Sequence, residues 1–441
     1  STNTNTSCSG SLQLYINGSN NCIQMSSAPS SIDNRTFILD PSDNLSFYAT
    51  YKIKVTTGAR DLAGNNLASD NTTSTGFKTR YWTMQLGTSS DEEGRGVAAK
   101  ASSVNIYVTG GTYGGLDNNT SSGGQDIFLV KIDNATVKHW TRQLGSSSND
   151  TGRGVAVGTD ENIYVTGITA GGLDGYTNLG EQDIFLVKYN SSGTKQWTRQ
   201  LGTSRSDIAH GVAVHSNSSI YVTGETRGGL DNNTNFGDKD MFLVKYNASG
   251  VRQWTQQLGT TSEDVGYGVA LDSAGNIYVT GTTYGQLGAS DNTSSDIFVA
   301  KYNASGVKLW TNQFGTAYED VAYGITVASN IVYLTGYTKG ALNGVSNSGN
   351  SDIFLLKQYD NATYLSTILL GTSSAEEGRS VTVDSTSASA NVYLTGRTEG
   401  TLTGTNLGDY DAFLTKYNSS GTRLWIKQMS TSSGEHGYGV T

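Results

Sequence analysis

One acidic residue returns at a fixed place in the chain seven times: Glu92, Asp150, Asp207, Asp264, Asp320, Glu376 and Glu435. Three residues after each stands a donor: Arg95, Arg153, His210, Tyr267, Tyr323, Arg379 and Tyr438. Carboxylates gathered in a ring attract a cation, because their fields add at the centre. The alternative chemistry is local: each carboxylate accepts hydrogen bonds from its own loop and from the donor three residues on. Repetition in every copy favours this second reading, since structural ion pairs recur in such places. A pair of carboxylates can also hydrolyse a glycoside. Sevenfold repetition, however, looks like architecture rather than one asymmetric acid/base pair.

A second acidic position, the Asp that opens each D-[IMA]-F segment, recurs at Asp126, Asp183, Asp240, Asp296, Asp352 and Asp411. It reads as a turn or inter-unit hydrogen-bond acceptor. The segment Asp231 to Asp240 (D-N-N-T-N-F-G-D-K-D) offers alternating oxygen ligands. It lacks the Gly at position 6 and the Glu at position 12 of an EF-hand loop, so Ca2+ is a weak expectation and no other cofactor or metal is expected. No G-x-S-x-G, H-E-x-x-H or P-loop occurs, and His139, His210, His215 and His436 do not recur at one repeat position. On this basis the chain is expected not to be an enzyme.

Where the copies differ, contact chemistry appears. One loop position carries Tyr113, Ala170, Arg227, Tyr284, Lys339 and Glu399, and a second carries Asp117, Asp174, Asp231, Gly288, Asn343 and Thr403. Tyr, Arg, Asn and Asp on loops are adaptable contacts for a protein or a glycan. The competing reading is a solvated rim.

These positions are set by a repeat of about 57 residues. Trp recurs at 82, 140, 197, 254, 310 and 425, with Thr367 in the remaining slot. Y-[VL]-T-G begins at Tyr107, Tyr164, Tyr221, Tyr278, Tyr333 and Tyr393. One period reads as four strands: a from Gly154 to Val157, b from Asn162 to Gly167, c from Asp183 to Tyr189, and d from Lys195 to Gly202. Short turns join a to b and c to d, and a long loop joins b to c. A single four-stranded unit cannot bury both faces of its sheet, so units must stack radially. Six units are complete; an extra d strand at Trp82 to Gly87 and an extra a strand at Tyr438 to Thr441 belong to a seventh. The expected fold is all-β: a seven-bladed β-propeller of four-stranded antiparallel blades, the last incomplete, preceded by a partial Ig-like sandwich.

Composition agrees. The 441 residues include 55 Gly and 2 Pro, and no window holds a 3.6-residue period, so almost no helix is expected. A net charge of −9 leaves no basic face for nucleic acid. No apolar run is long enough for a membrane helix. Cys8 and Cys22, the two cysteines, are expected to pair in an oxidising compartment. N-x-[ST] sequons in the c–d turns (Asn134, Asn190, Asn247, Asn303, Asn361 and Asn418) read as turn chemistry.

The motifs W-T-x-Q-L-G-T-S, G-V-A-V, N-I-Y-V-T-G and D-I-F-L-V-K-Y-N-x-S-G resemble the bacterial β-propeller repeat called SBBP, over 81–441. The stretch from Tyr51 to Leu67 and G-F-K-T at Gly76 to Thr79 resemble the last strands of bacterial Ig-like domains of the S-layer-associated type, giving a first domain of 1–80. These resemblances imply a secreted or cell-surface protein with no common enzymatic activity. The chain looks cut at both ends, with open sheet edges. The expected function is structural or adhesive, with two further possibilities: assembly with copies of itself by strand addition, and glycan or protein binding on the loop face. A hydrolase at the channel mouth is the remaining alternative.

Overall fold

The computed structural model describes residues 84–441, except 101–104, 135, 217, 289–293 and 385–389, together with short stretches before Met84. The chain divides into two units, Ser1–Gln85 and Leu86–Thr441. In the first, Leu12–Ile16 pairs antiparallel with Thr50–Val55, which also pairs with Asn71–Thr72 and Phe77–Lys78. Leu14 and Tyr51 are buried there. Cys22 is disulfide-bonded, while Cys8 lies outside the described residues.

The second unit holds six four-stranded antiparallel sheets, blades 1 to 6, spanning 92–144, 150–201, 207–258, 264–314, 320–370 and 376–429. In blade 2 the strands are Asp150–Val157 (a), Ile163–Thr169 (b), Asp183–Tyr189 (c) and Lys195–Leu201 (d), in the order a-b-c-d. Among the described residues the only helical elements are two 3-10 turns, Leu116–Asn118 and Leu230–Asn232, both in b–c loops.

The repeat motifs have physical causes. Strands b and c are buried on both faces, so they read as continuous apolar runs. Each core lies between blades: Ile127 and Leu129 of blade 1 pack with Val165 and Phe185 of blade 2. The Thr of Y-V-T-G is fully buried, and its hydroxyl donates to the carbonyl of the Phe in D-I-F, as Thr166 does to Phe185 at 2.6 Å. A Cβ on the following Gly167 would stand 2.0 Å from the Thr151 carbonyl oxygen, so that position requires glycine. Trp197 lies 6.1 Å from Tyr164, and the Arg199 guanidinium covers it at 5.1 Å. Arg199 Nε also donates to the Gly250 carbonyl of the next blade at 2.8 Å, so the outer strands are fastened in sequence.

Strand a departs from the expectation. It begins at the acidic residue itself, four residues earlier than Gly154. The cause is a β-bulge in every complete blade, between Gly152 and Gly154 in blade 2, which interrupts the two-residue alternation that marks a strand.

The ring has seven positions. Residues 438–441 lie at the seventh, between blades 6 and 1: Ala99 N donates to Thr441 Oγ1 at 3.2 Å on one side, and Val440 N donates to Ser380 Oγ at 3.2 Å on the other. They form no strand ladder of their own, and Met84–Gly87, expected in a d strand, are likewise unpaired. Trp82 lies outside the described residues.

Candidate functional site

The seven repeated acids do not circle the axis. Each turns into its own d–a loop and accepts from the backbone N–H and hydroxyl of the Ser or Thr four residues earlier. Asp264 accepts from Thr260 N at 2.6 Å and Thr260 Oγ1 at 2.9 Å; Asp207, Asp320, Glu376 and Glu92 repeat this with Thr203, Thr316, Thr372 and Thr88. Asp150 does the same with Ser146, and Glu435 with Thr431. A strand-b Thr supplies a third donor, such as Thr283 to Asp264 at 2.5 Å. Asp150, Asp207, Asp264, Asp320 and Glu376 are fully buried. Burial raises the carboxyl pKa values of Asp150, Asp207 and Asp264, and takes Asp320 to about 6. These carboxylates are thus held within the d–a loops, with one oxygen each of Asp150 and Asp320 left without a hydrogen-bond partner.

The strand-c acids are also internal. Asp183, fully buried, accepts from Leu179 N at 3.0 Å and from Gln200 Nε2 at 2.9 Å. Asp231 and Asp240 do not converge as a calcium loop. Asp231 is tied to Arg252 at 2.5 Å and to Thr255, Asp238 to Arg227 at 3.0 Å, and Asp240 to Phe236 N at 3.0 Å.

The b–c and d–a loops lie on one face, where the backbone joins them: Ala170 N to Asn149 O at 2.9 Å and Tyr284 N to Glu263 O at 2.9 Å. Of the variable residues, Tyr113 and Tyr284 are open, at 50% and 45% exposure. Lys339 pairs with Glu319 at 2.6 Å, and Glu399 accepts from the Tyr410 hydroxyl. Asp117, Asp174 and Asp231 are structural pins at positive φ (53°, 51° and 53°) and bind the Lys or Arg and the Thr of their own strand d. Sequence reading missed a different set. Leu179, Phe236 and Leu407 share one loop position in blades 2, 3 and 6 and are 59%, 59% and 61% exposed. Their signal was the N-[LF]-G triplet: the backbone of this position is held by the strand-c Asp in blades 2 and 3, which leaves the side chain outside.

The residues three after each acid form the ring instead. In blades 1 to 6 they are the bulge residues, unpaired with strand b, and a bulge re-aims its side chain. Arg153 lies 3.1 Å from His210 Nδ1. His210 and Tyr267 have ring centroids 4.9 Å apart, as do Tyr267 and Tyr323. Arg379 covers Tyr323 at 4.1 Å and Tyr438 at 6.0 Å, and Arg95 covers Tyr438 at 5.8 Å. Only the Arg95–Arg153 step sets like charges side by side. The channel holds a cavity of about 390 Å³, lined by Arg95, Tyr323, Arg379 and Tyr438 and by the inner strands.

Charge at this mouth is asymmetric. Arg95 pairs with Glu93 at 2.6 Å, and Glu377 holds Arg379 and Arg397 at 2.5 Å each. Glu225 lies 3.7 Å from Lys239. Arg153 has no carboxylate within ion-pair distance among the described residues. Burial lowers its pKa, with Arg95 acting in the same sense and Glu225 opposing. Burial, then Arg153 and Arg95, push the His210 imidazole well below its ordinary range, so it is neutral at pH 7.

Comparison with known proteins places this architecture. The SBBP β-propeller repeat matches residues 139–174, 196–231 and 253–291, and a bacterial Ig-like domain matches 2–79. The chain is 28% identical over 205 residues to the regulatory protein FlaEY of Caulobacter vibrioides, covering 42% of this chain and 22% of that protein. It is 26% identical over 232 residues to an uncharacterized WD repeat-containing protein of Acanthamoeba polyphaga mimivirus, covering 40% and 16%. The matched segment spans less than a quarter of either relative.

Among solved structures, a gluconolactonase from Xanthomonas campestris has a TM-score of 0.38 and 11% identity, covering 68% of this chain and 82% of that one. A putative gluconolactonase has a TM-score of 0.35 and 10% identity, covering 78% and 96%. The expectation that the chain is no enzyme is overturned by these neighbours, one a gluconolactonase and one a putative one. It rested on absent linear motifs, whereas a propeller assembles a site from separate blades. At these scores the likeness assigns no reaction to this chain. Residues 139–291 thus carry SBBP-type β-propeller repeats, and residues 2–79 match a bacterial Ig-like domain.

Proposed function

We propose that the propeller is a recognition module of the cell surface or extracellular space, binding a protein or glycan partner through its loop face. The carrying observation is the trio Leu179, Phe236 and Leu407, apolar side chains presented to solvent from one repeated loop position. Water-exposed apolar groups of this size, beside Tyr113, Tyr284 and Tyr318 (63% exposed), supply contact area that a partner can bury. The disulfide at Cys22 supports an oxidising compartment, where such bonds persist.

The test is binding of the intact chain to a glycan array and to an array of bacterial surface proteins. Replacing Leu179, Phe236 and Leu407 together by Ser, and separately Tyr113 and Tyr284 by Ser, should remove binding and leave the unfolding midpoint unchanged. Binding that survives both sets, or no binding on either array, would sink the reading.

A further inference from the structure

Five buried nitrogens at the loop-face end of the channel have no acceptor: Arg95 Nε, Arg153 Nε, His210 Nε2, Arg379 Nε and Arg397 Nε. All five are donors. An arginine only donates, so the Arg153 contact at 3.1 Å makes His210 Nδ1 the acceptor and places the ring proton on Nε2. Buried donors without acceptors are costly, and two of these residues, Arg95 and Arg379, line the axial cavity, with Arg153 near enough to Arg95 for their charges to interact, so this end of the cavity suits an anion or acceptor-rich group.

We propose that this mouth binds a sugar acid, with its carboxylate at Arg153. The argument is independent of the loop-face partner. Arg153 is the guanidinium without a carboxylate partner, and its planar fork matches a carboxylate's two oxygens. Glu93 and Glu225 act on Arg153, and Glu377 is paired with Arg379. They repel a phosphate dianion more strongly than a monoanion. The same carboxylates accept from hydroxyl groups, and the Tyr323 and Tyr438 side chains line the cavity, which together suit a polyhydroxylated ring. The cavity of about 390 Å³, lined at this end by Arg95, Tyr323, Arg379 and Tyr438, gives that ring room next to Arg95, the neighbour of Arg153.

The experiment is calorimetric titration of the full chain with D-glucuronate, D-glucose and inorganic phosphate, each at the same ionic strength. Glucuronate should bind about tenfold or more tightly than either of the others. Arg153→Met should lose that preference, and Arg153→Lys should weaken it by removing the fork. On the unaltered chain, the His210 imidazole resonances should move with glucuronate and not with glucose, a readout that needs no folded variant. Equal affinity for glucose, tighter phosphate binding, unchanged affinity in Arg153→Met, or a silent His210 would each overturn the assignment.

Discussion

The guanidinium of Arg153 donates to Nδ1 of His210 at 3.1 Å, a hydrogen bond that crosses from blade 2 to blade 3. It requires a neutral imidazole. The folded His210 binds its proton less readily than the unfolded chain does, so acid favours unfolding. Stability should fall as pH drops below about 6.5, by up to about 1 kcal/mol per pH unit from this group. His210→Gln, which keeps an acceptor for Arg153, should flatten that part of the profile in urea unfolding between pH 7 and 5. A profile identical to the parent's would refute the role.

Asp320 titrates in the opposite sense. Its carboxyl, fully buried, is raised to about 6, so the folded state holds the proton more tightly than the unfolded state. The stability this contributes is complete below pH 4 and lost as pH rises through 6. Asp320→Asn should therefore gain stability relative to the parent on going from pH 4 to pH 8, by about 2 kcal/mol. Thermal unfolding at the two pH values measures the difference; no relative gain would mean the carboxyl ionises freely.

Gly202 stands where a Cβ would meet Asp183 Oδ1 at 2.0 Å. That carboxylate is fixed by Leu179 N and Gln200, so it has nowhere to retreat. Gly202→Ala should cost about 2–4 kcal/mol in denaturant unfolding. In the last blade Ser430 follows the equivalent strand d and hydrogen-bonds Asp411 at 2.5 Å. Gly202→Ser should accordingly cost less than Gly202→Ala, and the reverse order would exclude this account.

Asp174 pins its b–c loop through Thr198 and Lys195 from a left-handed backbone conformation, φ 51°. The ion pair is a third exposed on each side and contributes little. The hydroxyl contact and the conformation matter more, and Asn tolerates both. Asp174→Asn should be near neutral, while Asp174→Ala should cost about 1–2 kcal/mol and raise protease sensitivity of the loop. Equal costs would mean that the charge is what counts.

Blade number, strand order and the short turns were legible because one pattern recurs at a fixed period. Asn190, read as turn chemistry, accepts from Ser192 N at 3.1 Å and Thr194 N at 2.8 Å in such a turn. The channel ring was not legible. Asp150 and Arg153 were visible as a repeated pair, but their partnership was misread. The bulge that sends Arg153 toward the axis exists only in the pairing of strand a with strand b, which a single run of residues does not display. Leu179 was hidden for a related reason. An apolar residue next to Asn and Gly reads as part of a turn, and only the hydrogen bond from its N–H to Asp183 shows the side chain held outward.

The contact between Ala99 and Thr441 joins residues 342 positions apart. Each blade, by contrast, forms from pairings inside one repeat. Folding kinetics should reflect that disparity: local sheets assemble early and stack on their neighbours, and the circle shuts last, after the entropy of one very long loop has been overcome. An open, stacked arc is then the natural intermediate. Its two end blades would present uncovered apolar faces until residues 438–441 reach both of them, and that brief exposure is where aggregation during synthesis would begin.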